Sequence, residues 1–517
     1  MKKALFILAA TSLSIIIGGL IFIHFYVSGD RVSEYAGEIL GDDFEVSVLK
    51  ASLNPFTRSL YLEGVSIYSE ENEPENLIFE AEKISLRNVG IISAIQGKIR
   101  AKELRMDQIM MDQGAFPEHV ETGADDDDEH TPDFELHLDH IYFSNGEIRF
   151  LAAEDGTGIV NGMNLQAGPI HYRPGCSDCD EWTVEDLWVD VSEIDFTFWN
   201  DRYKLQVESI LISEADSLFE TGGLILKSQF SDEDFFESLD YRTDLFDVNL
   251  SGLNLKGFDL PGIMKGERLA GSLLALDSLD LHITFDKRVP QDPDRGVPPM
   301  PLEALNNFAF EIALDSVKVH HADIRYSEYD EESVRPGTIL FAEIQAVIQP
   351  LHSNSEKAVV LTAKSLLEGS GELDTEIRFS MENGVSVTEV KGGLGTFDAT
   401  HLNNIFKDLE GIEITSGAVH SISFEYIMQG EEASGWISMF YEDLSIDMID
   451  RDDHERGFRD RVGGFFMDQI AVRADSRNNG EEHREGEISE EQEPENGFFN
   501  YLWISLRSGI MDVVRRV

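Results

Sequence analysis

Cysteine is nearly absent: the 517 residues hold two, Cys176 and Cys179. That scarcity excludes a disulfide-stapled framework. Basic residues are few as well, 41 against 98 acidic ones, for a formal charge of −57. A charge of that sign repels phosphate backbones, which excludes nucleic acid as a partner and argues against general adhesion to an anionic membrane. Solubility, with the self-repulsion screened by salt, is the plain meaning of such an excess. Catalytic signatures are missing too. There is no nucleophile elbow (Glu368-Gly-Ser-Gly371 has the wrong spacing), no Walker loop, no GxGxxG and no HExxH. His320 and His321 are adjacent in an alternating segment, where neighbours point to opposite faces, so they do not serve one site. These absences predict a protein that is not an enzyme and needs no cofactor or metal.

The two cysteines form one motif, Cys176-Ser-Asp-Cys179, after Pro174-Gly175 and among Asp178, Asp180 and Glu181. A local disulfide or a pair of free loop thiols is the leading reading. A metal site needs two more ligands, and only His171 is near. Redox chemistry wants a depressed thiol pKa, which the acidic neighbours oppose.

What is present begins with one long apolar run, Ala4 to Val27, free of Asp, Glu, Lys and Arg. Leu5, Phe6, Ile7, Leu8, Ile15, Ile16, Ile17, Leu20, Ile21, Phe22, Ile23 and Phe25 give it the apolar surface of a membrane anchor. A bilayer core of ~30 Å needs roughly 20 such residues. A cleaved secretory signal is the competing reading, but its apolar part stops at about 7–15 residues, and this run continues through Phe25-Tyr26. Lys2 and Lys3 precede the run, and Arg31 alone follows closely, among acids. That asymmetry puts the N-terminus in the cytoplasm and the body outside, a single-pass arrangement.

The body is 42% hydrophobic across the whole chain, too much for disorder. Gly29 to Leu40 reads as a short helix with Val32, Tyr35, Ala36, Ile39 and Leu40 on one face. From Phe44 the period changes to two. Phe134, Leu136 and Leu138 alternate with polar residues, as do Ile194, Phe196 and Phe198, and Leu279, Leu281, Ile283 and Phe285. Phe310, Ile312 and Leu314 follow the same rule, and so do Ile422, Phe424 and Tyr426. Each set shares one sheet face and is a candidate lining for an apolar groove, although a filled core would need the same alternation. Asn145-Gly146, Asn200-Asp201, Asn383-Gly384 and Gly392-Gly393 are expected turns. Helices are expected at Ser231–Leu239 with Ser231 as N-cap, at Leu302–Phe308 and at Ala399–Leu409. The fold class is mainly β: after the N-terminal helix, a long, mostly antiparallel sheet with few helices.

The chain also repeats itself. Phe134 to Phe150 lies over Phe310 to Tyr326 without a gap, Asn164–Ala167 echoes Glu343–Ala346, and Pro169 echoes Pro350. A weaker echo links Ser209–Leu211 with Ser365–Leu367. The expected organisation is an anchor (1–28), an N-terminal β module (29–120), two repeated β modules (133–289 and 302–396) and a C-terminal module (397–472). An acidic disordered linker (473–496) and an amphipathic helix (497–517) follow. The acidic run Asp125–Glu129 reads as a solvated loop and Pro290–Pro301 as a stiff connector. In the last helix Phe499, Leu502, Trp503, Leu506, Ile510, Val513 and Val514 form one stripe. Either it caps the sheet, or it makes a second contact with a membrane or a membrane partner.

A family resemblance runs through these segments. The N-terminal span followed by Phe44–Pro55, Leu60–Ile67, Phe79–Leu86 and Gly97–Leu104 resembles the opening of AsmA-like proteins. Leu402–Phe406, Gly411–Val419 and Tyr441–Ile446 resemble that family's C-terminal module. Tyr203–Ile210 and Asp323–Glu328 are similar to a subgroup of its large envelope proteins. The resemblance implies an inner-membrane protein whose body lies in the periplasm of a Gram-negative cell. It also implies a curled sheet with an apolar groove, outer-membrane biogenesis or phospholipid movement between membranes, and envelope proteins as partners. It offers no catalytic residue to carry over.

Overall fold

Alternation governs the body from its first strand. In β1 (Phe44–Asn54) Phe44, Val46 and Val48 are buried while Glu45 and Ser47 face water. The computed structural model describes residues 28–515 except 41–43, 55, 70–76, 91–97, 116–134, 153–155, 173–181, 294–295, 332, 410, 449–471, 478–481 and 493–496. The expectations for Lys2, Lys3 and Ala4–Val27, for Asp125–Glu129 and Phe134, and for Cys176 and Cys179 therefore lie outside the described residues. Among the described residues no helix is long and apolar enough to cross a membrane. The structure is mainly β with mostly antiparallel pairing, as expected. Contacts divide the chain into two compact units, Met1–Gly222 and Gly223–Val517.

In the first unit α1 (Gly29–Leu40) precedes β1. Antiparallel pairing links β1 to β2 (Ser59–Ser69), β2 to β3 (Leu77–Arg87) and β3 to β4 (Lys98–Asp112). The link from β4 to β5 (Glu135–Ala152) is parallel. Antiparallel pairing then continues through β6 (Gly156–Ala167), β9 (Trp188–Phe198) and β10 (Tyr203–Ser213). Two short strands, β7 (Ile170–Tyr172) and β8 (Trp182–Val184), extend the sheet beside the start of β5. Val32 and Ala36 of α1 are buried in one cluster with Val46, Leu62, Ile84, Leu86, Met106, Leu136 and Leu138. This end of the unit is a filled core.

The second unit opens in β11 (Leu218–Ser228), within which the division falls. It continues antiparallel through β12 (Leu245–Leu250) and β13 (Leu253–Lys256), both paired with β15 (Leu273–Asp286). A parallel link joins β15 to β17 (Val317–Tyr329). Antiparallel pairs then run through β18 (Gly337–Gln349), β20 (Val359–Leu367), β21 (Gly371–Glu382), β22 (Val385–Leu394), β24 (Ile412–Gln429), β25 (Glu432–Met448) and β26 (Arg484–Glu491). The short β23 (Phe397–Asp398) also joins β24. A separate small sheet holds β14 (Arg268–Gly271), β16 (Glu311–Leu314) and β19 (Leu351–His352). Its helices are α2 (Asp232–Glu237), α3 (Leu260–Lys265), α4 (Pro301–Asn306), α5 (Asn403–Leu409) and α6 (Phe498–Val514). Ser231 caps α2 by accepting the Asp234 N–H, as its position predicts.

The duplication keeps strand register across its first three long strands. Leu104, Ile141 and Ala167 stand side by side in the first unit, and Leu274, Val317 and Ile348 in the second (274 − 104 = 170, 317 − 141 = 176, 348 − 167 = 181). The same offsets carry Leu138 and Ile170 onto Leu314 and Leu351, so the small sheet is the detached counterpart of the first rungs of β4, β5 and β7. Even the irregularity between Phe143 and Gly146 recurs between Val319 and Ala322. This register corrects two sequence echoes. Leu165 matches Ala346, two residues away from the match by residue type, and Ser209–Leu211 lies in β10 whereas Ser365–Leu367 lies in the counterpart of β9.

Other expectations need correction. Asn145-Gly146 is an irregularity inside β5, with Asn145 at φ 51, and no turn forms there. Gly392-Gly393 lies inside β22, where the ring of Phe424 covers Gly392 and leaves no room for a side chain. Arg484–Glu491, assigned to a disordered linker, forms β26 because each residue from Arg484 to Glu491 pairs with a partner on β25. Helix α3 carried no expectation, although Asp259 at its N-cap and Gly266 at its left-handed C-cap mark both ends.

Candidate functional site

The second unit carries an apolar face that its own chain leaves half covered. Leu255, Leu274, Val317, Ile348, Leu361, Ile377, Val390 and Tyr426 stand in register across it. The next row is Leu253, Leu276, Val319, Ala346, Ala363, Thr375, Gly392 and Phe424. One extra residue in β17 between Val319 and Ala322 keeps Ala322 and Ile324 on this face. A matching extra residue in β18 keeps Phe341 and Ile344 there. Leu281 and Ile283 join them through the parallel link to β17. A one-residue slip in sequence parity would otherwise turn these chains to the other face.

Exposure separates the two faces. Leu276, Val319, Ile324, Phe341, Ala346 and Leu361 are half-buried, while Lys318, Thr362, Glu376 and Lys391 on the reverse are exposed. Charge pairs occupy that reverse face: Lys391–Glu425 at 3.0 Å, Lys364–Asp374 at 3.0 Å and Arg378–Glu389 at 3.7 Å. Along the second row the side chains dwindle to Ala346, Ala363, Thr375 and Gly392, and a recess of about 590 Å³ opens at these rungs, bordered also by Lys318, Lys364, Asp374, Glu376 and Lys391. Such a surface can cover an apolar chain.

Beyond Gly392 the face continues to Phe424 and Tyr426, and α6 packs at that end. Phe424, Tyr426, Ile437 and Ile488 are buried there, and the Tyr426 hydroxyl donates to the Leu502 carbonyl at 3.1 Å. The helix comes in closely because Gly486 and Gly509 face each other. A methyl on Gly509 would lie 2.6 Å from Ile488 Cγ1, and one on Gly486 would lie 2.7 Å from the Gly509 carbonyl oxygen. Burial pushes the Tyr501 phenol up to about 12, and it raises Tyr426 and Tyr441 as well. The edge of β26 is closed by the same helix. Asp512 accepts the Glu487 N–H at 2.9 Å and Ser508 Oγ accepts the Ser489 N–H at 3.2 Å. Of the expected apolar stripe, Val513 and Val514 are buried, Leu502, Trp503, Leu506 and Ile510 are half-buried, and Phe499 is 78% exposed. The face that docks is instead Tyr501, Ser505, Gly509 and Val513.

The first unit has a smaller open strip. Phe150, Phe196, Phe198 and Tyr203 stack in sequence, with ring centroids 5.7, 5.3 and 5.7 Å apart, and the ring of Phe150 lies over Gly158. Ile194, Phe196 and Phe198 are half-buried.

The expected groove residues therefore divide three ways. Ile194, Phe196, Phe198, Leu279, Leu281, Ile283, Phe285 and Ile422 are half-open, and Phe310 is exposed outside any strand. Leu136, Leu138, Ile312, Leu314, Phe424 and Tyr426 are covered, so they line no groove. Val319, Phe341, Ala346, Ala363 and Gly392 line the open face without having been singled out. The parity slips at His320-His321 and Ala342-Glu343 are their only sequence signal. Among the described residues no cluster of three or more His, Cys, Asp or Glu side chains is placed to hold a metal. Ser327 Oγ and His282 Nε2 lie 2.9 Å apart, and Ser327 Oγ also meets Thr338 Oγ1 at 3.0 Å, a rung of cross-strand polar contacts. No protein-family model matches the chain, and no curated protein matches it.

Proposed function

We propose that this is a non-catalytic, membrane-anchored protein of the AsmA-like kind that shelters lipid acyl chains on the apolar faces of its sheet. In this reading Ala4–Val27 holds it in the inner membrane with the N-terminus cytoplasmic. The body is periplasmic, and phospholipid and outer-membrane or envelope proteins are its partners, in support of outer-membrane biogenesis or inter-membrane lipid transport. The observation that carries the reading is the half-covered row Leu276, Val319, Ala346 and Ala363, with a recess at its rungs that charged side chains border. Acyl chains in water lose about 0.8 kcal/mol per exposed methylene, so a continuous apolar strip lowers the cost of their passage. A photo-reactive residue in place of Val319 is expected to capture phospholipid in cells, and one in place of Arg378, which lies outside the recess and faces Glu389, is not. Equal labelling at both positions, or a lipid-free extract of the purified chain by mass spectrometry, would reject it.

A second reading has its own observation. Leu136, Leu138, Phe424 and Tyr426 are already covered by the chain itself. A scaffold with filled ends that binds envelope partners would need nothing more, and it predicts no lipid at Val319.

A further inference from the structure

The apolar run enters the first unit at Gly29, beside the middle of β1. Val27 is two residues before Gly29, a reach of about 7 Å at most. Gly29 packs against the backbone of Val48 and Leu49, so close that a side chain on Gly29 would strike the Val48 carbonyl oxygen. From Gly29 α1 carries the chain away, and β1 brings it back past Gly29 to the turn between Asn54 and Ser59. Two large apolar side chains stand in water on that return: Leu49 is 82% exposed and Phe56 is 96% exposed.

Phe56 is held outward by the turn itself. Asn54 Oδ1 accepts the Phe56 N–H at 3.0 Å and the Thr57 N–H at 3.2 Å, and the Arg58 guanidinium donates to Asn88 Oδ1 across the turn. Around it the strand ends gather exposed basic residues, Arg58, Arg87, Arg100 and Lys102. Their level is set by the pairing of Asn54 with Ser59 and of Arg87 with Glu103, and by the Gly90 N–H donating to the Arg100 carbonyl. Glu103 answers Arg87 at 3.1 Å and also pairs with Arg105. In a chain of charge −57 a basic rim around an exposed aromatic is a local reversal of sign.

We propose that the Asn54–Ser59 turn seats Phe56 in the headgroup region of an anionic membrane, with Arg58, Arg87, Arg100 and Lys102 meeting lipid phosphates. Leu49 lies beside the point of entry. The inference rests on the reading of Ala4–Val27 as a membrane anchor. It makes the body's orientation fixed by two contacts, the anchor and the turn, where the anchor alone would leave it free to swing.

The test uses the full chain with Cys176→Ser and Cys179→Ser, and a single new cysteine from Phe56→Cys, Leu151→Cys or Val334→Cys. Each carries a polarity-sensitive fluorophore, in vesicles of phosphatidylethanolamine and phosphatidylglycerol. Leu151, 55% exposed at the opposite end of the same strands, and Val334, 87% exposed in the second unit, are the controls. A quencher on the lipid headgroup region is expected to quench position 56 several-fold more than either control. Reversing Arg58, Arg87, Arg100 and Lys102 to Glu should at least halve that excess, and should do so only when phosphatidylglycerol is present. Phe56→Trp with brominated lipid repeats the measurement without a label. A chain that floats with the vesicles but quenches equally at 56 and 334 overturns this inference alone. A chain that does not float overturns the anchor reading and this inference with it. Position 56 shielded from aqueous iodide yet untouched by the lipid quencher means a protein covers the turn, and that also overturns it.

Discussion

The two copies of the repeated module agree in register and differ in what covers them. In the first, β4 and β5 run unbroken, and the positions at their start, Leu136 and Leu138, join the core under α1. In the second, the same positions, Ile312 and Leu314, split off with β14 and β19 into a small sheet of their own. Both copies thus bury the head of the repeat. Both leave the later rungs half-open, Phe196 and Phe198 in one and Leu281 and Ile324 in the other. The difference teaches that pairing and covering are separate inheritances. Backbone register is kept by the ladder and its irregularities, whereas cover depends on whichever helix or strand the flanking chain supplies.

The largest test of that contrast compares two leucines. Leu138→Ala empties a site only 3% exposed and should cost about 2–5 kcal/mol, because the surrounding core collapses only in part. Leu281→Ala acts on a half-buried side chain with open space on one side, and about 1 kcal/mol or less is expected. Urea unfolding of both variants decides it. Equal losses would mean that the strip holding Leu281 is as tightly packed as the core, which would leave no open face to explain.

This contrast is also what the amino-acid sequence alone could not carry. Phe134 to Leu138 and Leu279 to Phe285 have the same alternation, and alternation assigns side chains to a shared face without saying what lies on it. Strands, the short first helix, Ser231 as a cap and the repeat were legible because each is written within a few neighbouring residues or in a long gapless match. The open row was not. Val319, Ala346 and Gly392 come together only through pairing across three strands or more, and two of them are too small to stand out. The last helix shows the same limit. Its bulky stripe is conspicuous, but the docking face is one position away, because a helix lying this close to a sheet needs Ser505 and Gly509 at the contact.

That close approach gives a smaller effect to look for. Gly509→Val would drive its side chain into Ile437 and Ile488, and lifting α6 to make room should cost about 1–3 kcal/mol. Displaced, the helix no longer covers Tyr426, Ile437 and Ile488, so the half-open face grows at the expense of the covered one. Increased binding of an apolar dye, with limited proteolysis before Phe498, would report the change. An unaltered dye signal in a destabilised protein would mean that the helix holds the sheet together without covering its face.

The finest contrast lies at the two sheet edges. At β1 the Val48 N–H donates to Ser33 Oγ of α1 at 2.9 Å in a half-buried setting. At β26 the Ser489 N–H donates to Ser508 Oγ of α6 at 3.2 Å in an exposed one. Both helices end a row of unpaired amides that would otherwise invite another strand. Water can replace the hydroxyl at β26 but reaches Val48 poorly. Ser33→Ala should therefore cost about 1 kcal/mol, and Ser508→Ala about half that or less. If Ser508→Ala proves the costlier, the β26 edge is the drier of the two, and α6 seals it more completely than α1 seals β1.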